Sequence, residues 1–354
     1  MFLARKEMRY SKLRFGLIIG IMVLIAYVVF MLSGLARGLA EEFKKGVEDW
    51  NAQEIVLSEE ANKNLTASQL TRDDLNDVTD SSKAPIGLYS GAVKGTQQNI
   101  TVFGTQKNAF LIPKLTQGNN LSKENEILIS QNLADTGYQI GDKIKIGQYN
   151  QDLTIVGIFP ETYYTVSPVI YTDLDTWTEL KFGNQPFAED KDKPINAIAT
   201  KEKATIADQN DAFDVLSTSE LIENIPGYSA QNLTLDAMIY FLFITAAAVI
   251  GIFMYVITLQ KTSIFGVLKA QGIRNWFIAK SLIAQSFMVG IIGVGIAMFL
   301  AYLTSLILPT AMPFAIIWSQ WLLYSGILIL VAIIGGLFSV RTLTKVDPIT
   351  AIGG

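Results

Sequence analysis

The chain has neither cysteine nor histidine among its 354 residues. Without cysteine there are no disulfides, no thiolate metal ligands and no thiol nucleophile. Without histidine the commonest metal ligand, general base and haem ligand is missing. No G-x-x-x-x-G-K motif ending in Ser or Thr occurs. The run GAVKGT at 91–96 has its letters in the wrong order, so the chain has no phosphate loop of its own. No Asp, Glu, Lys or Arg stands in the middle of any long apolar run. Ion-coupled transporters need such groups at membrane midplane, so the energy for any transport is expected from another subunit.

What the chain does have is hydrophobicity and a divided charge. Half of its residues are hydrophobic. Residues 38–236 hold 30 of the 32 acids but only 16 of the 28 bases. Outside that segment the only acids are Glu7 and Asp347. Such a split implies two compartments. Carboxylates are many in the acidic segment, and a solvated acidic surface explains them better than a catalytic pair does.

Four apolar runs are long enough to cross a bilayer. Phe15–Ala36 is free of charge for 22 residues, roughly 33 Å of helix. A signal peptide cut near Ala40 is the rival reading, but the apolar core is too long for one. The expected order is an interfacial amphipathic helix at 1–14, a first span at 15–39, and a domain at 40–235. Further spans follow at 237–259, 277–308 and 317–340. A basic loop fills 260–276, a short uncharged loop 309–316, and a tail 341–354. Basic clusters in 1–14, 261–280 and 341–345 put both termini and the basic loop in the cytoplasm and the acidic domain outside.

Within 40–235 the sequence predicts strands at Glu54–Ser58, Gln98–Gly104, Ile127–Ser130, Lys143–Ile146, Leu153–Phe159, Pro168–Thr172 and Ile195–Thr200. They are rich in β-branched residues and bounded by Gly, Asn or Asp. Helices are expected at Ala67–Leu75 and Asp173–Leu180, with 41–51 continuing the first span as a helix. The fold class is therefore four membrane helices with a mixed α+β domain inserted between the first and second.

The basic loop carries the most specific pattern. Thr262 or Ser263 can cap a helix, Ile264, Val267 and Leu268 fall on one face, and Gly272 is a natural stop. Two readings stand at this point: a short amphipathic helix offering an apolar stripe, or a solvated loop that merely obeys the positive-inside rule.

Residues 265–272, FGVLKAQG, resemble the coupling loop of the MacB/FtsX class of ABC transporter permeases: Gly, two aliphatics, a base, Ala, any residue and Gly. The tail from Asp347 and Pro348, DPITAI, is similar to that family's terminus. EILIS at 126–130 followed by GDKIKI at 141–146 resembles its small β-rich lobe. The opening twenty residues are most similar to the haem-exporting HrtB-type branch. Many family coupling loops place an acid shortly before the first Gly, and here Ser263-Ile264-Phe265 has none.

The resemblance implies a MacB-like permease fold, a homodimer of this chain, and two copies of a separate ATPase subunit that bind the ATP. It implies coupling contacts at Phe265, Gly266, Val267, Leu268, Lys269, Gly272, Arg274, Asp347 and Pro348. It implies no intrinsic cofactor, no catalytic residue and no nucleic-acid partner. Haem, or a similar amphiphile taken from the lipid membrane, is the expected substrate, and its iron the only metal. The alternatives are a mechanical transmitter acting on an extracellular partner, as in FtsX-type and lipoprotein-sorting relatives, or an efflux permease for antimicrobial peptides or drugs. Antibiotic-sensing relatives have ten spans, against four here.

With no His or Cys, iron ligation must come from Tyr, Met or a carboxylate. The candidates at the outer ends of the first two spans are Met31, Arg37, Tyr228, Met238 and Tyr240. Met31 would offer a thioether, Tyr228 a phenolate, and Arg37 a partner for a propionate. Tyr163, Tyr164 and Tyr171 in the outer domain are secondary candidates.

Overall fold

The computed structural model describes residues 10–80, 82–206, 211–260, 264, 266–267, 269, 271–309 and 312–344, with side chains as far as 337. The chain forms two compact units, one of residues 39–231 and one of 1–38 with 232–354.

Helix α1, Lys12–Glu48, takes in the whole apolar run 15–36 and continues well past it. Ion pairs of Lys44 with Glu48 and Lys45 with Asp49, four residues apart, support its polar end. The helix stops where Asn51 turns to φ 51°, a conformation Asn accepts more readily than most residues. Val47 and Trp50 are fully buried in the core of the 39–231 unit.

That unit is built on one large sheet. Its main strands are β1 Glu54–Ser58, β2 Lys83–Ala92, β3 Asn99–Thr105, β4 Glu126–Ser130, β5 Leu153–Phe159, β6 Ser167–Asp173, β7 Ala197–Thr200 and β8 Phe213–Ser217. Their order across the sheet is β8-β1-β7-β2-β3-β6-β4-β5. The β3–β6 and β4–β5 pairs are parallel and the other neighbours antiparallel. The sheet has a core on each face. Ile55, Leu57, Phe103 and Leu128 enter one core, while Val56, Val102, Ile127 and Ile129 enter the other. Alternate side chains are buried on opposite faces, so the strands read as unbroken apolar runs. Each such side chain contributes about 1.5–3 kcal/mol relative to exposure.

Besides a single helical turn at Gln131–Ala134, the unit carries α2 Leu174–Phe182 and α3 Thr218–Glu223. Asp173 caps α2 by accepting from the backbone N–H groups of Asp175 and Thr176. The fully buried Trp177 of α2 lies on Gly87 and Gly104, which face each other across β2 and β3. A Cβ would come within 2.3 Å of the indole at Gly87 and 2.4 Å at Gly104. These glycines make the seat for the ring. Lys181 lies 5.0 Å from the centre of the Trp177 ring, and burial pushes its pKa down to about 8.

The structure departs from expectation in the 67–75 segment, which is not helical. Leu70–Thr71 is a short strand paired with Pro194–Ile195, and Asp73–Asp77 is a single 3-10 turn. Asp74 accepts from the Thr71 N–H at 2.6 Å, a local bond that competes with a helix. The strand expected at 195–200 is broken at Asn196. That buried side chain instead accepts from the Leu88 N–H and donates to the Leu65 and Ser68 carbonyls.

The other unit holds α4 Tyr228–Gln260 from residue 232 onward, α5 Asn275–Ser305 and α6 Trp318–Thr344, with the first part of α1. Among the described residues, four helices are thus long and apolar enough to cross a membrane. Lipid offers no hydrophobic force to join helices, so they approach through small residues. A Cβ on Gly335 would lie 2.9 Å from the Gly251 nitrogen, and one on Gly336 2.0 Å from the Ser286 hydroxyl. The connection from α5 to α6 packs against α1 in the same way. A Cβ on Gly34 would strike the Phe314 ring at 2.3 Å, and one on Gly38 the Pro313 backbone at 2.3 Å.

Candidate functional site

Two places in the membrane unit merit description. The first is a cavity of about 730 Å³ lined by Leu32 of α1 and by Leu233, Thr234, Ala237, Met238, Phe241 and Leu242 of α4. Positions 234, 237, 238, 241 and 242 recur at three- and four-residue steps and so share one helical face. No lining residue is charged. The cavity is open to its surroundings: of its lining residues, Leu233 is 73% and Phe241 68% exposed. Met238 is half exposed there, at 51%, and places a polarizable thioether among apolar carbons.

The expected ligand residues are distributed unevenly around this cavity. Met238 lines it. Met31 is packed against the core of the helix bundle instead, and its neighbour Leu32 takes the lining position. Tyr240 is exposed at 63%, but two residues from Met238 it lies about 200° around the helix, on another face. Arg37 is half-buried, one residue before Gly38. Tyr228 belongs to the 39–231 unit, where its ring is 6.2 Å from that of Phe43. Tyr171 corrects the expectation most clearly. It is fully buried in the sheet core, against Phe103 and Phe159, and burial raises the pKa of its phenol. A phenolate is therefore disfavoured there. Tyr164 is buried beside the same Phe103, whereas Tyr163 is half-buried and donates to Glu161.

Phe241 and Leu242 were not singled out by sequence reasoning. Their signal was the i+3 and i+4 spacing from Met238, hidden within a helix that is apolar all round.

The second place is the basic loop. Ile264, Gly266, Val267 and Lys269 are helical. Ile264 and Val267, three residues apart, are 55% and 45% exposed, so an apolar face stands open. Gly266 is buried. The turn ends as the sequence predicts: Gln271 N–H donates to Val267, Gly272 N–H donates to Lys269, and Gly272 has φ 83°. Arg274, extended at ψ 140°, precedes α5. Phe265, Leu268, Asp347 and Pro348 lie outside the described residues, as do the expected caps Thr262 and Ser263 and most of the helix expected at 1–14.

Residues 15–212 match the MacB-like periplasmic core domain, and residues 237–348 match the FtsX-like permease C-terminal family. A Staphylococcus epidermidis protein named putative hemin transport system permease HrtB is 33% identical over 363 residues, covering 100% of this chain and 99% of the relative. A Staphylococcus haemolyticus protein of the same name is 30% identical over 357 residues, with the same coverage. An uncharacterized ABC transporter permease of Mycobacterium tuberculosis is 24% identical over 363 residues, again spanning 100% and 99% of the two chains.

Proposed function

We infer the role from one premise: the chain belongs to the family of ABC transporter permeases that joins a MacB-like core domain to an FtsX-like permease region, the family of the staphylococcal HrtB permeases. It is a membrane protein that works with an ABC ATPase subunit. We propose that its substrate is haem, or an amphiphile of similar shape, moved out of the bilayer. On this reading it acts as a homodimer with two ATPase subunits, and ATP is hydrolysed only by those subunits.

The observation that carries the proposal is the cavity between Leu32 and the Met238 face of α4. Its wall is apolar, which suits a flat molecule already dissolved in lipid and does not suit a hydrated solute. Met238 supplies a thioether, one of the donors open to a histidine-free, cysteine-free chain for iron beside Tyr and the carboxylates. The family names of the two staphylococcal relatives agree with that chemistry.

The test is a haem titration of the purified full chain. Met238→Ala is expected to weaken binding by about tenfold, near 1.4 kcal/mol, and to shift the haem absorbance band. Met31→Ala, away from the cavity wall, should leave both in place. Equal affinity and an unchanged band in Met238→Ala would remove the site.

The same reading places the 40–235 domain outside the cell and both termini inside, from the split of acids and bases. The cysteine-free chain makes this measurable. Single cysteines at Lys107 and Lys269 should react differently with a membrane-impermeant reagent on intact cells, the first labelled and the second protected. Labelling at 269 without labelling at 107 contradicts the orientation.

A further inference from the structure

The hairpin over residues 163–168 has a two-residue turn made of the wrong amino acids. Tyr163 pairs with Pro168 and Tyr164 with Ser167, leaving Thr165 and Val166 at the tip. Both are in the left-handed region, at φ 46° and 65°. A turn of that form favours Asn-Gly, because two consecutive positive φ angles crowd any Cβ. Two adjacent β-branched residues there are strained.

The strain coincides with a docking contact. Val166 N–H donates to the Glu42 carbonyl at 3.0 Å, and Thr165 N–H to the Phe43 carbonyl at 3.2 Å. Both acceptors belong to the last turns of α1, in the same compact unit as the hairpin. Gly46, one turn further on, permits the approach: a Cβ there would stand 3.0 Å from the Tyr163 carbonyl oxygen. A second tie lies beside it, where the buried Thr162 hydroxyl donates to Asp49 at 2.7 Å. Val166 is nevertheless 43% exposed at the tip, so burial of its side chain does not hold the turn.

We propose that this hairpin tip is a latch on the outer end of α1, held in its strained form by the two helix carbonyls and released by local opening. When α1 and the tip separate, the two amides lose their acceptors and the turn relaxes. Docking and turn conformation are then two readings of one equilibrium. Strained residues persist where the surroundings over-determine them, and such places are often switching elements.

Amide exchange on the full chain in lipid nanodiscs tests this. The amides of Thr165 and Val166 should exchange about tenfold or more faster than those of Ile129 and Ile170 in the sheet, as expected of a segment that opens by itself. Gly46→Val should speed exchange at the tip further, again by about tenfold, and leave the sheet amides unchanged. Thr165→Asn combined with Val166→Gly keeps both donors and removes the strain. It should slow exchange at the tip by about tenfold. This variant keeps the test decisive if Gly46→Val does not fold. Tip amides that exchange in step with the sheet, or an Asn-Gly tip that exchanges no more slowly than the natural one, would overturn the latch.

Discussion

Val267→Asp is expected to abolish ATP-driven export while leaving the permease folded. Val267 stands 45% exposed on the helical turn of the basic loop, with Ile264 on the same face at 55%. Apolar residues at helical spacing on an open face fit a groove on a partner. In the proposed assembly that partner is the ATPase. A carboxylate driven into such a groove is desolvated without a counter-charge, at a penalty of several kcal/mol. Each 1.4 kcal/mol is a factor of ten, so association should fall by about 100-fold or more. Because the side chain faces outward, the thermal midpoint of the permease alone should stay where it is. Co-purification with the ATPase, set beside the melting curve, checks both statements. An intact complex with normal export would move the coupling contact away from this face.

Gly38→Val is expected to have the largest effect on stability. Gly34 and Gly38 form a G-x-x-x-G pair on α1, a spacing often used to join two membrane helices. Here the pair receives the connection between α5 and α6. Ala315 N–H donates to the Gly34 carbonyl at 3.0 Å, and Phe314 stands 6.5 Å from Trp321, which in turn stacks 5.1 Å from Phe30. At Gly34 the obstacle to a side chain is the Phe314 ring, which can swing. At Gly38 it is the Pro313 backbone, which cannot move alone. Overpacking of this kind costs about 1–3 kcal/mol, with Gly38→Val at the upper end and Gly34→Ala at the lower. Thermal unfolding in detergent, followed by tryptophan emission, should show the midpoint fall and the native spectrum change as the aromatic cluster is disturbed. A loss of dimer mass with an unaltered emission spectrum would instead assign the pair to a contact between copies.

The membrane helices were legible because lipid demands only length and apolarity, and 15–36 and 237–259 have both. The strands at 54–58 and 153–159 were legible for a related reason. Burial on both faces makes them near-continuous apolar runs. Strand β2 was missed because Pro85, Gly87 and Gly91 read as breakers. Gly87 is there to seat Trp177, a reason visible only once β2, β3 and α2 are together. The 67–75 segment has a helical rhythm, but its leucine pairs with Ile195, more than a hundred residues away. No local pattern carries that information. The cavity was half legible. Met238 stood out as a soft donor near a membrane edge, while its distinction from Met31 depends on which face each helix turns to the bundle. Tyr171 shows the limit: within a run such as SPVIYTD, a core tyrosine and a ligand tyrosine look alike. The turn at Thr165-Val166 gave no warning at all, since nothing in its residue types announces positive φ.

Export itself is measured most directly in proteoliposomes that hold the permease with its ATPase and carry haem in the bilayer. With ATP supplied on the side of the basic loop, haem is predicted to leave the membrane for an acceptor on the side of the 40–235 domain. Val267→Asp should stop that flux, and Met238→Ala should slow it. Haem that stays in the bilayer while the wild-type complex hydrolyses ATP at its full rate would contradict the account.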